Sequence, residues 1–130
     1  MTGNPVTWLV AVWQVLTAAG IAVFWTTWFR QPHVEPWHPP GYVEHERVFF
    51  FPDSALASLL VASAVLLVLE QSPGASLALI CAGMLAFLGI IDAAYFAQHG
   101  MYARDRGGPV NAFLVIAVLA LALVLAIRYA

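Results

Sequence analysis

Seven acidic residues, five basic residues and four histidines carry all the permanent or near-neutral charge in 130 residues, so their placement is informative. Asp92 lies inside a long apolar run. Tyr95, Phe96 and His99 follow it at i+3, i+4 and i+7, which on a helix gathers an acid, a phenol, a ring and an imidazole on one face. At membrane depth an ionisable group costs ~2.5–3.5 kcal/mol on insertion scales, so it needs a partner or a task. Two roles fit Asp92: a structural acceptor for Tyr95, Gln14 or a Trp indole, and a proton- or cation-binding carboxylate. Gly83 and Gly89 are close enough in sequence to let another helix approach it.

The second concentration of polar chemistry is residues 30–53. It holds Pro32, Pro36, Pro39, Pro40 and Pro52 together with His33, His38, His45, Glu35, Glu44, Glu46, Trp37 and Tyr42. Prolines at that density restrict a long connection, so an ordered loop is expected. His33-x4-His38 and His38-x6-His45 match no compact zinc or haem signature. With His99 they are the metal candidates, and neither metal nor cofactor is expected. Asp53, following Phe49-Phe50-Phe51-Pro52, reads as the N-cap of the next helix, a role worth about 1 kcal/mol. Glu46 lies just before it. Gln14 and Thr17 read as interhelical hydrogen-bonding residues. The single Cys81 permits neither a disulfide framework nor a CxxC redox pair.

Residues 44–53, Glu-His-Glu-Arg-Val-Phe-Phe-Phe-Pro-Asp, resemble the acidic-plus-aromatic motifs that precede a helix in small membrane cyclases and isomerases of isoprenoids and sterols. The resemblance covers about ten residues and departs from those motifs in lacking their ordered acid pair. It implies acid/base chemistry on a lipid as an alternative activity.

The elements that must position these residues follow from composition. Hydrophobic residues make up 62% and charged residues 9% of the chain, and mean hydropathy is +0.85. A soluble domain of this size could not hide that much apolar surface. A net charge of −2 without a basic stripe excludes nucleic-acid binding. The expected fold is an all-α integral membrane protein, a four-transmembrane-helix bundle in one domain. Its helices are expected at about 6–29, 54–69, 75–98 and 112–127, with the Pro-rich loop between the first two and Asn111 as the last N-cap. The span 54–69 is short, at ~24 Å against a ~30 Å hydrocarbon core. Pro52 is expected to break the chain, leaving the Phe triplet in the interface as a separate or irregular segment.

Four crossings put both termini on one side. Arg30, Arg47, Arg104 and Arg106 fall in the opposite loops against Arg128 alone, so the positive-inside rule places the termini outside. Arg as the sole basic residue, with abundant Ala, Leu and Val, points to a GC-rich bacterial genome, and a multi-pass helical protein is then expected in the inner membrane. The leading functional reading is a polar pocket near one membrane face, drawing on Asp92, Tyr95, His99, Asp53, Glu46 and Gln14. It would bind, sense or move a small amphipathic or protonatable ligand. The alternatives are the acid/base enzyme and a structural accessory subunit. Expected partners are the bilayer, such a ligand, and a second copy or membrane partner.

Overall fold

The structure, a computed structural model, describes residues 4–130. It is all-helical at 81% helix, with no strand among the described residues. Helix α1 runs Pro5–Arg30, α2 Tyr42–Val48, α3 Phe50–Val68, α4 Pro73–Gln98 and α5 Gly108–Tyr129, with a single 3-10 turn at Arg104–Arg106. Four stretches are long and apolar enough to cross a membrane: Pro5–Arg30, Tyr42–Val68, Pro73–Gln98 and Gly108–Tyr129.

Local chemistry explains most of the boundaries. Asn4 caps α1, its Oδ1 accepting from the Val6 N–H at 2.9 Å, and Pro5 occupies the first helical position where its missing N–H costs nothing. Helix α4 ends in a Schellman arrangement. Gly100 is left-handed (φ 66°) and the Met101 N–H reaches back to the Phe96 carbonyl at 2.8 Å. Helix α3 ends the same way, with the Gln71 N–H on the Leu66 carbonyl at 2.8 Å, but here Glu70 holds the left-handed position (φ 56°) that favours glycine.

Several expectations are corrected. Helix α3 begins at Phe50 rather than Ser54, because Pro52 falls in its first turn, where backbone N–H groups have no intrahelical partner to lose. Asp53 is therefore not the N-cap; its own N–H donates to the Phe49 carbonyl at 2.8 Å. Phe50 and Phe51 belong to α3, and only Phe49 separates it from α2, so the Phe triplet is nearly continuous helix. The 19 residues of α3 reach ~28 Å, which removes the apparent shortfall of the second span. Likewise α5 starts at Gly108, with Gly107 at the cap, and Asn111 lies inside it. Asn111 instead ties the preceding turn down, donating to the carbonyls of Met101 (2.7 Å) and Arg106 (3.3 Å).

The chain divides into two compact units, one up to Leu77 and one from Ala78 onward. In the first, α1 and α3 pack antiparallel. Val10, Ala11, Gln14, Ala18, Trp25 and Trp28 of α1 are buried, as are Leu56, Leu60, Ser63, Ala64 and Leu67 of α3. The spacing of 56, 60, 63 and 67 is the four-three alternation of helices crossing at a shallow angle. Gly74, at the start of α4, lies so close to α3 that a Cβ there would sit 2.8 Å from the Leu67 nitrogen. In the second unit, Leu119 of α5 packs directly over Gly89 of α4, and Met101 is buried behind the Schellman turn.

Large apolar side chains cover the outside of the long helices. Leu9 (70% exposed), Phe51 (76%), Phe87 (67%) and Ile127 (73%) are among them. Exposed apolar surface on this scale marks a partner or a lipid phase rather than water.

Candidate functional site

The most strongly organised polar contacts in the first unit bridge α1 and α3 at two levels. Deep in the pair, the fully buried Gln14 donates its Nε2–H to Ser63 Oγ at 3.0 Å, and the Ser63 hydroxyl donates to the Gly74 carbonyl at 2.8 Å. Gln14 Oε1 is buried with no hydrogen-bond partner among the described residues. The interhelical role read for Gln14 takes this form. Toward the C-terminal end of α1, the Trp25 indole N–H donates to Asp53 Oδ2 at 3.0 Å. The two contacts are eleven positions apart on α1 and ten on α3, so together they fix the antiparallel register.

Trp25 is held by aromatic edges as well as by Asp53. Its ring meets Phe50 at 5.4 Å and Phe24 at 5.1 Å, both edge-on, and Phe29 meets Phe50 at 4.9 Å. Such pairs add ~0.5–1.5 kcal/mol each beyond area burial. Beside this cluster an open groove of about 340 Å3 runs between the two helices. Its walls are Ile21, Ala22, Trp25, Thr26 and Phe29 of α1 and Phe50, Ser54 and Ala57 of α3. The Thr26 hydroxyl is turned back onto the Ala22 carbonyl at 2.7 Å, which leaves the wall largely apolar.

A second depression, open, about 460 Å3 and of mixed polar and apolar lining, shares the last two turns of α1. Thr27, Arg30, Gln31, Pro32, His33, Val34 and Glu35 line it. His33 is fixed at its edge by a 3.0 Å hydrogen bond to Thr27 Oγ1 and by edge-on contacts with Phe24 and Trp28. The loop beyond is folded on itself. The Glu35 N–H donates to His38 Nδ1 at 2.8 Å, and the His38 ring stacks on Tyr42 with centroids 3.8 Å apart. Burial lowers the His38 pKa below 6.5, partly offset by the Glu35 carboxylate, which raises it.

The six residues singled out from sequence divide between the two units. Gln14, Glu46 and Asp53 lie in the first, with Glu46 half-buried on α2. Asp92, Tyr95 and His99 lie in the second. Asp92 and Tyr95 are half-buried on α4, and the Tyr95 ring sits 4.4 Å from that of His99. His99 is exposed just past the helix end, its carbonyl accepting from Arg106 Nη1 at 3.2 Å. His45 is half-buried, its ring 5.1 Å from Phe49. Among the described residues no three His, Cys, Asp or Glu side chains come together in a way that could hold a metal ion.

Sequence reasoning missed Trp25, Phe29, Phe50, Ala57 and Ser63. A usable signal existed for Ser63, a polar residue far from the ends of an apolar helix, as Gln14 is on α1. For the groove residues there was none, since an apolar residue in an apolar helix does not announce which face it occupies. Compared with known proteins, the chain matches no family model, no curated protein and no solved structure.

Proposed function

We propose that the chain is a multi-pass protein of a bacterial inner membrane that binds the apolar chain of an amphipathic ligand in the groove between α1 and α3. The observation that carries this reading is the groove itself. It is open, it lies between two helices of spans long and apolar enough to cross a bilayer, and its walls are mainly aromatic and aliphatic. A concave apolar surface beside exposed side chains such as Phe51 and Val61 is filled by acyl chains when the helices sit in lipid. Asp53 belongs to the site as the residue that orients the Trp25 wall. The four-to-one distribution of Arg between the loop faces supports termini on the outer side, with the 30–53 loop cytoplasmic.

Photolabelling tests the reading. The purified protein in lipid nanodiscs is irradiated with a phospholipid carrying a diazirine in one acyl chain, and adducts are mapped by mass spectrometry. Adducts are expected at residues 21–29 and 50–57 in excess over Leu123 and Ile127, exposed on α5. Ala57→Phe, which fills the groove, is expected to abolish that excess. Even labelling of all exposed apolar positions, unchanged by Ala57→Phe, would overturn the proposal.

A further inference from the structure

The second depression, at the end of α1, carries a pair of opposite charges that do not satisfy each other. Arg30 and Glu35 both line it, both are exposed, and among the described residues neither forms an ion pair. Thr26 and Phe29 wall the apolar groove, while Thr27 and Arg30, the next position along α1 in each case, wall the second depression. Successive positions on a helix are ~100° apart, so the two cavities occupy neighbouring faces of the same two turns. The head of a molecule whose alkyl chain lies in the groove has to pass from one of these faces to the next to reach Arg30 and Glu35.

Resting on the groove reading above, we infer that the ligand is a bilayer aminophospholipid, a diacylglycerol phosphate ester with a primary ammonium head. The guanidinium of Arg30 matches a phosphodiester through two parallel N–H donors, and the Glu35 carboxylate accepts from the ammonium N–H groups. The amide of Gln31 and the Thr27–His33 pair at the cavity wall supply further polar groups around the phosphate. The same chemistry ranks the competitors. A choline head carries its charge without an N–H to donate, so Glu35 gains no hydrogen bond. A glycerol head has no cation at all and leaves Glu35 facing a net negative lipid.

Competition against the photolabelled chain reads this directly. The diazirine phospholipid is held constant in nanodiscs, and unlabelled phosphatidylethanolamine, phosphatidylcholine or phosphatidylglycerol with identical chains is titrated in. Phosphatidylethanolamine is expected to suppress groove labelling at about tenfold lower mole fraction than the other two, the difference made by one charge-assisted hydrogen-bonded pair. Glu35→Gln should move the preference to phosphatidylglycerol, whereas Arg30→Gln should weaken competition by all three lipids alike, since each carries the phosphate, and leave phosphatidylethanolamine ahead. Both residues are exposed, so neither change endangers folding, and unchanged helical content checks this. Equal competition by all three lipids, or a preference for phosphatidylglycerol in the unaltered protein, would overturn the aminophospholipid assignment and leave the groove standing. Loss of the Ala57→Phe effect would instead remove the groove and this inference with it.

Discussion

Ser63→Ala removes one oxygen that serves two contacts, and its cost can be worked from the geometry. The hydroxyl accepts from Gln14 Nε2 at 3.0 Å and donates to the Gly74 carbonyl at 2.8 Å, and both Gln14 and Ser63 are fully buried. An interhelical hydrogen bond in a membrane protein contributes ~0.6 kcal/mol on average and at most ~1.7. The substitution also strands the Gln14 amide, whose Oε1 already has no partner, and an orphaned buried donor costs ~1–3 kcal/mol. The expected destabilisation is about 1–2 kcal/mol. Gln14→Leu removes the amide for a side chain of similar size and leaves the Ser63–Gly74 bond intact, so it should be nearly neutral. In the Gln14→Leu background, Ser63→Ala should then cost much less, giving a coupling of about 1 kcal/mol in the double-mutant cycle. Reversible denaturation in mixed micelles measures all four proteins. A Ser63→Ala cost unaffected by Gln14→Leu, or no cost at all, would refute the buried network.

Other consequences are equally concrete. Glu70→Gly should stabilise the fold by about 1 kcal/mol in the same denaturation assay, because a left-handed residue with a Cβ is strained at this α3 terminus. Asp53→Ala should cost ~1–3 kcal/mol by leaving the Trp25 indole N–H unpaired, whereas Asp53→Asn keeps an acceptor and should recover most of that; equal losses would contradict the pairing. Because His38 is held below 6.5, the folded loop binds fewer protons than the unfolded one. Its contribution to loop stability is full above pH 6.5 and is lost as pH falls through the lowered folded value. Protonation occupies Nδ1, so the protection of the Glu35 amide relative to its intrinsic exchange rate should fall in acid, and His38→Gln should flatten that response.

The four long apolar stretches were legible because 62% hydrophobic residues in runs broken at Arg30, near Pro73 and at Gly107-Gly108-Pro109 leave little choice, whereas α2, inside what reads as a Pro-rich loop, was not. Caps were harder to read: Asp53 and Asn111, the two expected N-caps, both lie inside their helices. The start of α3 was not legible either, because a proline reads as a break unless it falls in a first turn, and nothing in the Phe triplet says that it does. The site was hidden for a deeper reason. A helix that is apolar on every side has no periodicity to show which face meets its neighbour. Gln14–Ser63 and Trp25–Asp53 both depend on that choice of face, and so does the groove lined by Ala22, Phe29 and Ala57.

The central claim is that a lipid chain occupies the α1–α3 groove, and nuclear Overhauser contacts in nanodiscs test it most directly. With deuterated protein carrying protonated Trp indoles and Ala methyl groups, acyl-chain methylenes should show strong contacts to Trp25 and to the Ala57 methyl. The buried Ala78 methyl (0% exposed) should show none. Contacts from water in place of lipid at Trp25 and Ala57, or acyl contacts as strong at Ala78 as at Ala57, would contradict the account.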